Sequence, residues 1–241
     1  MLKTVGRFRA MSGEQLRTLF WPEGSPQTRA RLARHGLARL TELEMLAPLA
    51  RRVGGVRSGS AGRCFAVGLA GQWLLATEAS TRRVRHPYTP GERFLAHTLA
   101  VGQLYVELVE SGVEVLAYDA EPDCWRPYLA AYGARAVCKP DAYVKLGVGE
   151  YEYSWLVERD RATEALGTVE RQARRHLDYH RSGVERRTRG VAPRVAWIVP
   201  DERRAEAVQT ALDRLPAEAK KLFAIATSAE AITLLTAGAR S

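Results

Sequence analysis

Apolar residues in the first third of the chain recur at helical spacing, broken twice by turn-forming residues. Leu2 to Arg9 reads as a short helix. Ser12 then offers an N-cap with Gln15 three residues on, a capping-box arrangement, and Leu16, Leu19 and Phe20 share one face behind it. Trp21-Pro22-Glu23-Gly24 ends that helix, and Ser25-Pro26 opens the next with a cap and a first-turn proline. This helix is expected to run to Met45, with Leu32, Gly36, Leu37, Leu40, Leu43 and Leu46 forming the apolar pattern and Arg29, Arg31, Arg34 and Arg39 between them. Leu49 to Val53 and Arg63 to Val67 read as a β-hairpin whose tip, residues 54–62, is rich in glycine and carries Arg57. Two helices followed by a basic hairpin make a winged helix-turn-helix, ending near Thr77.

Residues 78–90 are basic and punctuated by proline, and read as a linker. From 91 to 241 the pattern changes. A helix from Glu92 to Ser111, carrying Leu95, Leu99, Leu104 and Leu108, precedes three strand-like runs, Val113–Tyr118, Ala142–Leu146 and Tyr153–Glu158. A helix over Thr163–His180, a strand over Pro193–Val199, a helix over Asp201–Leu215 and a strand over Lys221–Thr227 complete the order. The fold class is therefore α/β in the α+β sense, a winged helix ahead of a mixed-sheet domain.

Charge sharpens this division. The net charge is +9, yet residues 1–85 hold 15 Lys and Arg against 5 Asp and Glu, while the remainder holds 21 against 22. A basic excess confined to the helix-turn-helix region is the electrostatic footprint of a polyanion-binding module, because each neutralised phosphate releases condensed counterions. Gln27, Thr28, Arg29, Arg31 and Arg34 lie where a recognition helix meets base edges in the major groove, and arginine can donate two hydrogen bonds to one guanine. Arg51, Arg52, Arg57 and Arg63 on the hairpin are placed for phosphates. The expected partner is double-stranded DNA, and a homodimer on paired half-sites is compatible with such a module.

Other chemistries find little support. The three cysteines, Cys64, Cys124 and Cys138, are odd in number and widely spaced, which fits buried small hydrophobes better than disulfides or a thiolate metal site. No apolar run approaches membrane-spanning length and the first residues lack the pattern of a signal peptide, so a cytoplasmic location away from membranes is expected. No phosphate-binding glycine loop, nucleophile elbow or Cys-x-x-Cys pair is present. His176 and His180 stand at i and i+4, a chelating spacing without an evident third ligand. Eight arginines against four acids between Arg161 and Arg189 form either a second phosphate-contacting surface or a solvated helix and loop.

The order of elements in the second domain, with Pro140-Asp141 before one strand and Glu158-Arg159-Asp160 ending the next, resembles the restriction-endonuclease-like superfamily. That resemblance implies catalytic roles for Asp141, Glu158 and Asp160, with Asp141 and Glu158 as ligands of a Mg²⁺ ion that activates water. The sequence departs from it at Asp160, which stands where a lysine is expected. The whole chain is similar to the replication-relaxation family of plasmid and mobile-element proteins, on Arg39 to Leu43, Arg51 to Gly62, His97 to Val101, Lys139 to Ala142 and Glu158 to Glu164. It departs at Glu44-Met45, where a glycine and an apolar residue are expected at the helix end. The likeness implies a DNA-binding protein acting in replication, mobilisation or their regulation. Two alternatives stay open beside it: a Mg²⁺-dependent nuclease, and a non-catalytic dimerisation or interaction module.

Overall fold

The computed structural model describes residues 1–52, 62–78, 84–130 and 133–237, together with the backbone but not the side chains of residues 51, 52 and 78. The chain divides into two compact units, Met1–Val106 and Glu107–Ser241. The protein is a mixed α/β chain.

In the first unit the order is α1 (Leu2–Phe8), β1 (Met11–Ser12), α2 (Gly13–Phe20), α3 (Pro26–Glu42), β2 (Leu46–Arg52), β3 (Arg63–Val67), α4 (Leu69–Glu78) and α5 (Glu92–Glu110), the last crossing the division between units. β3 lies between β1 and β2 and is antiparallel to both. This order and pairing is consistent with a winged helix. The capping box at Ser12 forms in full: Ser12 Oγ accepts from Gln15 N at 3.1 Å and Gln15 Oε1 from Ser12 N at 2.9 Å. Gln15 also donates to the Leu99 carbonyl at 2.8 Å. Leu95 and Leu99 of α5 pack with Ala10, Leu49 and Cys64. The first turns of α5 thus complete the core of the first unit, whereas the sequence pattern opens the second domain at residue 91.

Helix α3 ends at Glu42, three residues before the expected Met45, and the reason is local. Glu44 takes a left-handed backbone, φ 53°, and its N–H donates to the Thr41 carbonyl at 3.0 Å. This is the position at which the family pattern calls for glycine. A left-handed conformation costs an L-residue roughly 1–2 kcal/mol. Glu44→Gly is expected to stabilise the first unit by about 1 kcal/mol, read as a raised denaturation midpoint; an unchanged or lowered midpoint would contradict the strain.

The second unit is built on a five-stranded sheet in the order β10-β9-β8-β7-β4. β4 (Glu114–Ala120), β7 (Ala142–Val148) and β8 (Tyr151–Arg159) pair antiparallel, and β9 (Arg194–Val199) and β10 (Phe223–Thr227) continue parallel from β8. The register of β4 on β7 shifts between Val115 and Ala117. One buried cluster joins Leu156, Val195, Trp197 and Val199 of the sheet to Val169, Ala173 and Leu177 of α6 (Leu166–Ser182) and to Val208 and Ala211 of α8 (Glu202–Leu212). α9 (Ala231–Ala237) packs against β7, β8 and β9, and Trp155 Nε1 donates to the Leu235 carbonyl at 3.1 Å.

In the second unit, a hairpin and two helices depart from the sequence pattern. A hairpin of β5 (Arg126–Leu129) and β6 (Arg135–Cys138) sits between β4 and β7 in sequence. A short helix, α7 (Val184–Arg189), replaces the loop expected over residues 182–191, and α9 follows the last strand. All three cysteines are buried and unbridged. No described helix is long and apolar enough to cross a membrane.

Candidate nucleic-acid interface

Which arginines of α3 reach outward is decided by helical geometry rather than by charge. Ala33 and Leu37 face the core, and Gly36 receives the Trp21 ring, since a Cβ there would lie 2.5 Å from Trp21 Cζ2. The opposite stripe, spaced by four, three and four residues, is Gln27, Arg31, Arg34 and Ala38, all exposed. It extends roughly 16 Å along the axis. Neither Arg31 nor Arg34 makes a hydrogen bond or ion pair with any described residue. The expected set Gln27, Thr28, Arg29, Arg31 and Arg34 therefore separates into two groups.

Arg29 lies about 200° around the helix from Gln27, on the core side. Its Nε donates to the Trp21 carbonyl at 2.9 Å, fastening the α2–α3 turn to the helix. Thr28 is spent on the cap: its N–H donates to Ser25 Oγ at 3.2 Å, and the two hydroxyls lie 3.0 Å apart. The signal was available in the sequence, because Arg29 shares the i, i+4 row of Ala33 and Leu37. On the hairpin, Arg63 is exposed at the start of β3, directly across from Arg52 of β2. The side chains of Arg51 and Arg52, and all of Arg57, lie outside the described residues.

In the second unit, Asp141 immediately precedes Ala142, which pairs with Val157, and Glu158 immediately follows Val157. The two carboxyl residues thus stand at the same end of adjacent strands, as the resemblance implies. Each is committed internally. Asp141 Oδ2 accepts from the Arg159 N–H at 2.6 Å. Glu158 is 4% exposed, and its Oε1 lies 2.6 Å from His176 Nε2, while His176 Nδ1 lies 3.3 Å from Cys138 Sγ. With Nε2 donating to the carboxylate, a neutral ring leaves Nδ1 to accept the thiol proton. Asp160 Oδ2 accepts from Arg204 Nε at 3.0 Å and Nη2 at 2.7 Å, and its Oδ1 accepts from Ala162 N at 2.5 Å.

Each of the three carboxylates has a hydrogen-bond partner within the unit. Among the described residues no group of three or more His, Cys, Asp or Glu side chains could hold a metal ion. The electrostatics agree with an occupied interior. Burial, and then the Asp141 carboxylate, raise both the Tyr118 hydroxyl and the Cys124 thiol well above their ordinary values, so neither is a nucleophile at neutral pH. Burial lowers the Arg159 guanidinium from its usual value, with Glu107 and Tyr118 acting against that shift. His176 is thus paired with Glu158, and His180 is exposed one turn beyond.

The fold defines a mixed α/β protein, with a small three-stranded antiparallel sheet and helices ahead of a mixed five-stranded sheet. The chain belongs to the replication-relaxation family, whose model matches residues 2–195. No curated protein matches the sequence significantly.

Proposed function

We propose that this chain binds double-stranded DNA through α3 and acts in the replication or mobilisation of a plasmid or other mobile element. The observation that carries the reading is the outward row of Gln27, Arg31 and Arg34, with both guanidinium groups unpaired among the described residues, on the part of the chain that holds the net positive charge. A helix presenting such a row can enter the major groove, where arginine reads guanine, while Arg63 and its neighbours on the hairpin meet phosphates. Arg29 and Thr28 act through the fold, by setting the angle at which α3 leaves the α2–α3 turn. The carboxylates of the second unit serve its packing in this reading.

The test is fluorescence anisotropy with duplex DNA over a range of salt. Arg31→Glu combined with Arg34→Glu is expected to weaken binding roughly 100-fold or more, without loss of thermal stability. Arg63→Ala is expected to weaken binding to all sequences alike and to lower the salt slope by about 1. Unchanged affinity in the double variant would overturn the assignment of α3. Mg²⁺-dependent cleavage of the same duplex, lost in Asp141→Ala, would assign nuclease chemistry to the second unit instead.

A further inference from the structure

Positive charge in the second unit is concentrated in one stretch. Residues 166–189, which span α6 and α7, hold seven arginines against three acids, while the rest of Glu107–Ser241 holds 13 Lys and Arg against 18 Asp and Glu. The three acids are each matched by one arginine: Glu170 by Arg174 at 2.7 Å, Asp178 by Arg181 at 3.8 Å and Glu185 by Arg189 at 3.3 Å. The other four guanidinium groups have no carboxylate partner. Arg171 donates to the Thr168 hydroxyl at 2.9 Å and Arg187 to the Ser182 carbonyl at 2.9 Å, neutral acceptors that leave the charge uncompensated. Arg175 and Arg186 have no partner among the described residues.

Helical spacing lines these charges up. Val169, Ala173, His176 and Leu177 of α6 are buried. On the opposite side Arg171, Arg175, Asp178 and Ser182 follow one another at steps of four, three and four residues, and the first three are exposed. Arg187, bonded to the Ser182 carbonyl, holds a third guanidinium at the C-terminal end of this row. The row extends roughly 16 Å along the axis. A line of guanidinium groups suits a chain of phosphates, because each can fork onto two oxygens and each contact releases counterions. No large apolar side chain is exposed between residues 166 and 189, so the surface lacks the apolar anchors of a protein interface or of a helix lying in a lipid surface.

We propose that α6 and α7 form a second DNA-contacting surface, one that grips the sugar-phosphate backbone of a duplex without reading its sequence. Arg171, Arg175 and Arg187 make the contacts. The surface lies wholly within the second unit and acts whether or not α3 reads bases.

Fluorescence anisotropy of the full chain with two unrelated duplexes, each over a range of salt, tests this. Arg171→Ala combined with Arg175→Ala is expected to weaken binding to both duplexes alike, by roughly tenfold, and to lower the salt slope by about 2. Arg203→Ala combined with Lys220→Ala removes the same charge from exposed positions elsewhere in the unit and is expected to leave the slope unchanged. In a chain carrying Arg31→Glu and Arg34→Glu, which disables α3, salt-sensitive binding is expected to persist at reduced affinity and to vanish when Arg171→Glu and Arg175→Glu are added. That background keeps failure of the α6 row distinct from failure of α3. No binding of the intact chain, an unchanged slope in the row variant, equal losses in the row and control variants, or a loss confined to one duplex would each overturn the proposal. So would loss of binding to phosphatidylglycerol vesicles with DNA affinity intact, which would assign the row to a lipid surface.

Discussion

Alanine at position 160 is expected to destabilise the second unit by about 3 kcal/mol or more, the range for removing one partner of a buried ion pair. The Asp160 side chain is 4% exposed and that of Arg204 12%. Arg204 gives two hydrogen bonds to the carboxylate and a third, at 2.9 Å, to the Glu164 carbonyl. Without the carboxylate the guanidinium stays in the interior with most of its charge uncompensated. The Ala162 N–H also loses its acceptor, at a residue held in a left-handed conformation, φ 56°. Denaturant unfolding of Asp160→Ala, Arg204→Ala and the double variant measures the pair, and the double variant should lose less than the sum of the singles. A loss below about 1 kcal/mol for Asp160→Ala would show that the carboxylate is not structural.

The other large effect is expected at Gly68, where β3 turns into α4. A Cβ there would lie 2.1 Å from the Glu44 carbonyl oxygen and 3.1 Å from the Leu46 carbonyl carbon. Both obstacles are backbone, and the Gly68 N–H is itself bonded to the Met45 carbonyl at 2.9 Å, so neither strand can yield without losing pairing. Gly68→Ala should cost about 3 kcal/mol. The loss is expected in the first unit, seen as faster hydrogen exchange there with protection in the second unit unchanged. Gly91→Ala, where a Cβ meets nothing within 4 Å, is the control. Equal behaviour of the two variants would remove the close approach as a constraint.

How much of this was legible in the sequence depended on how far apart the deciding residues lie. Ser12 with Gln15, and Ser25 with Pro26, announce two helix starts within four residues, and both form as written. The strands of the main sheet showed through their apolar runs. The β5–β6 hairpin did not, because its strands are four residues each and alternate buried with exposed positions over too short a span for a period to register. α4 was hidden by the opposite problem: Leu69–Leu75 is apolar on nearly all sides, and Trp73 and Leu74 stay exposed, so no face stands out.

At the sites, position was readable and commitment was not. The shared strand end of Asp141 and Glu158 follows from a hairpin register. That His176 covers Glu158 across 18 residues and Arg204 holds Asp160 across 44 follows only from tertiary packing. Arg29 shows the difference, since its charge pointed outward while its place on the helix brings its Nε to the Trp21 carbonyl.

The slipped register of β4 also bears on how the protein keeps its own copies apart. β4 is one margin of the main sheet, and a margin presents unpaired peptide groups on which another chain can extend the sheet. The shift falls between Val115 and Ala117, at the exposed Leu116, so the strand is irregular halfway along. A straight strand laid against it can match one half or the other but not both. An edge strand broken in this way is a poorer template for strand addition than a regular one.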